Sequence, residues 1–244
     1  MAIPTPIKAV LFDMDETLLS HARNFRELTV DLFGPFEDQL SDVPYEKFAK
    51  VLWPKAIDMW HMMYDGVLPG SIARRYTITN TLRHLEADLA LAEPMMNLWD
   101  ELFVTNTSMM PDAEAVLSQL RNDGIRLGIV TNGYSEVQHR KISHHQLELM
   151  VDFVLVSEDA KSHKPDPGIF QQALTLAGTD PGATMFVGDM PQTDIEGALA
   201  TGMIPVLIDP KDTHSKGLPD HREPRYRIRA LQELLKLLDT ANDE

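Results

Sequence analysis

The stretch that most limits what this chain can fold into lies near its N-terminus, where Ile7-Lys8-Ala9-Val10-Leu11-Phe12 is followed at once by Asp13-Met14-Asp15-Glu16-Thr17. A short, almost unbroken apolar run of β-prone residues suits a strand buried on both faces of a parallel sheet. Side chains two apart on an extended chain point to the same side, so Asp13 and Asp15 converge where the strand ends. In an open α/β sheet that carboxyl edge is where ligands bind. Like charges held this close repel each other, and a cation or a shared proton relieves them. The pair points to Mg²⁺ chemistry.

Composition narrows the partners. The chain carries 37 acidic against 22 basic residues, a formal charge of −15, which repels nucleic acid and anionic membranes at long range. An anionic substrate therefore needs a local positive site. With 244 residues and 43% hydrophobic content, one large domain or a core with an insertion can be filled. The lack of cysteine excludes disulfides, thiol catalysis and cysteine-bound metal. Met1 to Pro6 show no basic segment leading into an apolar run, and no stretch reaches the roughly 18 apolar residues of a membrane span. A soluble cytoplasmic protein is expected, and its oligomeric state is left open.

Along the chain, residues 20–108 show helical patterns broken at Gly34-Pro35, Pro44, Pro54, Pro69-Gly70 and Pro94, with no convincing strand. This predicts an all-helical insertion. Phe48, Val51 and Leu52 share a face, and Ile57, Trp60, His61 and Tyr64 recur at spacings of three and four, a stripe expected in the core. From Pro111 strand and helix alternate, as in a doubly wound parallel sheet. Strands are expected at Arg126–Val130, Phe153–Val156, Thr184–Val187 and Ile204–Ile208. Helices are expected after Asp112 as N-cap, at Ser135–His144, at Pro167–Ala177 and from about Thr193 to Ala200. A polar loop from Asp209 to Pro224 and a closing helix around Leu231, Leu234, Leu235 and Leu238 complete the chain. Residues 1–19 and 109–244 thus form an α/β core, Rossmann-like and mostly parallel, and 20–108 form the insertion.

Three further clusters follow strand-like segments. Thr131-Asn132-Gly133 combines a hydroxyl with backbone N–H groups before a helix, which suits either an anion site or a plain turn. His163-Lys164-Pro165-Asp166-Pro167 leaves Lys164 directly before a helix, where an ammonium can meet a carboxylate and a phosphate; Lys161 is the competing lysine. In Gly188-Asp189-Met190-Pro191-Gln192-Thr193-Asp194, Asp189 can complete a hard oxygen shell. Asp194 can bind metal water, orient Lys164 or cap a helix. His139, His144, His145, His214 and His221 lack a second ligand at metal spacing. Arg222, Arg225, Arg227 and Arg229 alternate with other residues, as on an edge strand or solvated face.

Taken together, D-x-D-x-T, T-N-G, K-P-D-P and G-D-x₄-D in this order resemble the four motifs of the haloacid dehalogenase-like hydrolases. The resemblance covers about residues 7–19 and 111–210, and the helical insertion matches the branch with a cap after the first motif. It implies Asp13 as nucleophile, Asp15 as acid/base, Thr131, Asn132, Gly133 and Lys164 around a phosphoryl group, and Mg²⁺ on Asp13, Asp189 and the Asp15 carbonyl, with Asp194 behind. Many relatives carry Gly where this chain has Glu16, a difference that bears on turn geometry alone. A Mg²⁺-dependent phosphatase of a small phosphorylated metabolite is therefore expected, acting through an aspartyl-phosphate. Nucleoside monophosphates, sugar phosphates and phosphoglycolate-like acids are candidate substrates. A phosphomutase shares all four motifs, whereas a metal-independent dehalogenase typically lacks the carboxylate of Asp15. A non-catalytic binding protein is disfavoured by the presence of Asp13, Asp15, Lys164 and Asp189.

Overall fold

The computed structural model describes residues 6–64, 67–214 and 217–242, without the side chains of Tyr64 and of 239–242. The stripe position Tyr64 and most of the N-terminal segment therefore lie outside the described residues. The first half of the chain runs β1 (Ala9–Phe12), β2 (Leu19–His21), α1 (Phe25–Phe33), α2 (Tyr45–Tyr64), α3 (Gly70–His84), α4 (Ala92–Thr105) and β3 (Thr107–Met109). The second half runs α5 (Ala113–Asn122), β4 (Arg126–Thr131), α6 (Ser135–His144), β5 (Phe153–Val156), α7 (Ser157–Ala160) and α8 (Pro167–Ala177). It ends with β6 (Thr184–Gly188), α9 (Glu196–Ala200), β7 (Ile204–Ile208), β8 (Tyr226–Ile228) and α10 (Gln232–Asn242). No helix among the described residues is long and apolar enough to cross a membrane.

Six strands form a parallel sheet in the order β5-β4-β1-β6-β7-β8, a Rossmann-like α/β fold. β1 is central, with Phe12 opposite Ile129 on one side and Val187 on the other. Its alternation explains why an unbroken apolar run is needed. Val10 and Phe12 join one apolar layer with Leu127, Ile129, Met185 and Val206. Ala9 and Leu11 join the opposite layer with Phe170, Ala173, Phe186 and Ala198. All four β1 residues are fully buried, and each large side chain contributes about 1.5–3 kcal/mol by leaving water. The arginine-rich segment does form an edge strand, β8, whose Arg227 pairs with Glu223.

The chain divides into two compact units: Met1–Ser20, Ser108–Asn132 and Ile142–Glu244 in one, His21–Thr107 and Gly133–Lys141 in the other. The second is helical apart from short strand ends. Its core gathers Leu32, Phe33, Phe48, Leu52, Ile78, Leu82, Met95 and Met96. Asn24 and Glu27 form a reciprocal capping box on α1.

Four local expectations are corrected. Pro54 does not end a helix, because α2 runs through it; the lost N–H bond is offset by packing of Phe48 and Leu52 before it. The predicted core stripe fails at Ile57 and Trp60, which are 43% and 52% exposed. β2 and β3 pair as a ribbon that the sequence did not reveal, since three-residue strands are too short to show alternation. Asp112 precedes α5 but makes no capping bond, its backbone being left-handed at φ 64°.

Candidate active site

The tips of β1, β4 and β6 and the loop between α7 and α8, all in the α/β unit, supply the candidate site. β1 ends at Phe12, and Asp13 continues it with its N–H donating to Val187 O at 2.9 Å. The carboxylate of Asp13 accepts from Lys164 Nζ at 2.6 Å, and that of Asp194 accepts from the same nitrogen at 2.7 Å. Lys164 is only 2% exposed and Asp194 is fully buried. Lys161, by contrast, is an exposed residue just past α7. The second oxygen of Asp194 accepts from the Met190 N–H at 3.0 Å, so this carboxylate closes its own turn while holding the ammonium. A Cβ on Gly188 would collide with that carboxylate; glycine is needed for the close approach.

Carboxylate oxygens of Asp13, Asp189 and Asp194 all lie within 4.8 Å of one another. An all-oxygen set of this kind, drawn from carboxylates, is the donor chemistry that a hard cation such as Mg²⁺ takes, and the cluster could hold one. The electrostatics agree. Burial, together with the charges of Asp194 and Asp15, lifts the Asp13 carboxyl to about 7 although Lys164 pulls it back. Burial and the charges of Asp13 and Asp194 lift Asp189 to about 9. Burial acts to lower Lys164, but its two carboxylates outweigh that and hold it above its ordinary value. Three acids share one ammonium, and a bound cation would relieve the excess negative charge.

Asp15 is half-buried, two residues on, at a bridge to Leu19. Glu16 beside it is left-handed, φ 57°, a backbone conformation that glycine adopts at least cost. Thr131 closes β4 and is buried with Asn132. Gly133 falls with the helical unit, and Asp166 caps α8 through a 2.6 Å bond from Gly168 N–H.

Sequence reasoning missed one element of the site, the side chain of Asn132. Its Nδ2 donates to Lys164 O at 2.9 Å and its Oδ1 accepts from Lys164 N–H at 2.8 Å. This double bond to one peptide fixes the lysine backbone against the end of β4, and no local pattern announces it. The metal-holding group found among the described residues consists of Asp13, Asp189 and Asp194 and includes no histidine.

The chain is similar to several known proteins. A rat N-acylneuraminate-9-phosphatase is 27% identical over 96% of this chain and 94% of its own. A pyrimidine 5′-nucleotidase of Escherichia coli is 30% identical over 94% of this chain and 96% of its own. The crystal structure of a 2-haloacid dehalogenase from Pseudomonas syringae superposes with a TM-score of 0.73 at 26% identity, covering 96% of this chain and 98% of that one. The family model described as haloacid dehalogenase-like hydrolase matches residues 7–202. With that match spanning most of the sequence and the strand-tip cluster in place, the chain is an enzyme of the haloacid dehalogenase-like hydrolase family.

Proposed function

We propose that this enzyme is a Mg²⁺-dependent phosphatase acting on a small phosphorylated metabolite. The observation that carries the reading is the Lys164 ammonium bonded to both Asp13 and Asp194 beside Asp189. Such a cluster suits a dianionic phosphoryl group better than a neutral carbon–halogen bond, and Asp15 supplies the acid/base group that dehalogenation does not use.

Asp13 attacks phosphorus in line, giving an aspartyl-phosphate as the P–O bond to the alcohol breaks. Asp15 donates a proton to the leaving oxygen, then takes one from the water that splits the intermediate. Lys164, the Thr131 hydroxyl and the N–H groups of Asn132 and Gly133 are the proposed partners of the equatorial oxygens. Asp13, Asp189 and the Asp15 carbonyl would hold Mg²⁺, with Asp194 behind them. When bound, the ion neutralises charge on the phosphoryl group and favours ionised Asp13. The helical insertion at 20–108, which follows the first motif in the sequence as in the capped branch of the family, is the proposed source of substrate selection.

The test is phosphate release from nucleoside monophosphates, sugar and sugar-acid phosphates and phosphoglycolate, with Mg²⁺ and with a chelator. Release that needs Mg²⁺ and disappears in Asp13→Asn is expected, the variant remaining folded. Full activity in that variant would discard the mechanism; phosphate moved within the ester without release would make the enzyme a mutase.

A further inference from the structure

Lys164 carries its charge on a flexible four-carbon stem, so an ammonium that must sit at one point needs both ends of the residue held. Its tip donates to Asp13 at 2.6 Å and to Asp194 at 2.7 Å. Two further holds come from uncharged residues. At the peptide end, the Asn132 side chain donates to Lys164 O at 2.9 Å and accepts from Lys164 N–H at 2.8 Å. At the ammonium end, Nζ lies over the ring of Phe186, a residue of β6, 5.5 Å from the centroid. Asn132, Lys164 and Phe186 all belong to the α/β unit and all are buried.

The ring is itself braced. Phe170 of α8 stands against it in a tilted pair, the centroids 5.0 Å apart. A Cβ on Gly197 would collide with the Phe170 ring, so α9 presses close behind it. Apolar packing alone does not account for an aromatic ring under this ammonium. A leucine there would fill space but leave the buried charge facing hydrocarbon, whereas the face of an aromatic ring attracts a cation.

On the phosphatase reading above, the reaction alters one of these holds and leaves the others. As an Asp13 oxygen bonds to phosphorus, the ester P–O bond breaks and its electron pair leaves with the alcohol oxygen, which Asp15 protonates. The Asp13 carboxylate is then the acyl group of an aspartyl-phosphate, and its grip on Lys164 weakens halfway through the cycle. We propose that Asn132, by its side chain, and Phe186, by its ring face, are positioning residues for Lys164 that keep the ammonium in place while Asp13 is phosphorylated. Charge stabilisation by a group already in position is worth most because nothing has to reorganise during the reaction, and small displacements are costly.

The experiment uses the full chain with Phe186 replaced by mono-, di- and trifluorinated phenylalanine, together with Asn132→Ala. Fluorination withdraws electron density from the ring face while hardly changing its size, so a role in packing alone would not follow the series. With p-nitrophenyl phosphate and Mg²⁺, kcat should fall stepwise, about fivefold by the trifluorinated ring, while KM changes less than about twofold. Asn132→Ala should lower kcat about tenfold. In both proteins the phosphoenzyme trapped by acid quench at steady state should rise, because the step after Asp13 is modified slows most. If Asn132→Ala does not fold, the fluorinated series decides. Folded variants that keep wild-type kcat and phosphoenzyme level overturn the proposal. Should the wild type release phosphate from no ester, the phosphatase reading falls by itself. Reductive methylation of Lys164, followed by mass spectrometry, then decides the seat: labelling about fivefold faster in the variants keeps it, and no change removes it.

Discussion

Lys164 makes two charge-assisted bonds, to Asp13 and Asp194, from a position 2% exposed to solvent. Removing one partner of a buried pair leaves the other charge uncompensated, at a cost of about 3–5 kcal/mol. Lys164→Met should therefore lose stability of that order in urea denaturation, besides losing activity; a loss under about 1 kcal/mol would mean that the carboxylates find other relief. The same crowding fixes the pH dependence. Asp13 and Asp189 titrate near about 7 and about 9 when folded, against 3.8 for the free side chain. Between those values the folded protein keeps protons that the unfolded chain releases, so metal-free stability falls as pH rises from about 4 towards 9. Mg²⁺ should raise the melting temperature more at the alkaline end of that window than at the acid end. Scanning calorimetry with chelator and with Mg²⁺ checks this, and an equal increment at every pH would contradict it.

At the level of elements, the parts easiest to read were those bounded by strong punctuation. Pro167 and Gly178 bracket α8, and its range is the one predicted. The continuous apolar runs of β1 and β7 admit little but buried parallel strand. Asp166 sits at the start of α8 with its carboxylate on the Gly168 N–H, so Asp166→Ala should cost about 1 kcal/mol, measured by chemical denaturation. Because the same cap adjoins Lys164, KM should shift with it. Other elements were hidden for physical reasons. Residues 191–195 coil as a wide π-turn, which follows from Asp194 reaching back to Met190 and not from any repeat of apolar residues. The exposure of Trp60 depends on which face of α2 meets its neighbours, and periodicity cannot tell one apolar stripe from another. Strand ends and acid spacing singled out Asp13, Lys164, Asp189 and Asp194 in the sequence. The Asn132 clamp and the Lys164–Phe186 contact were not legible, because each joins residues from separate elements of the chain.

For the whole molecule, the net charge of −15 sets the surrounding field against a dianionic substrate. Salt screens that repulsion over a Debye length of about 10 Å at 0.1 M. kcat/KM for a phosphate ester should therefore rise modestly as ionic strength is raised from low values, opposite to the behaviour of enzymes that attract their substrates; stopped-flow or steady-state rates across a salt series test the sign. The central place of β1 has a separate consequence. Its partners on either side are residues 126–129 and 184–187, more than a hundred positions downstream. A ribosome adding about 5–20 residues per second delivers this greasy segment first and its nearer partner many seconds later. During that interval the nascent polypeptide carries an unpaired apolar stretch with nowhere to dock, so chaperone dependence during synthesis is built into the order in which the gene is read.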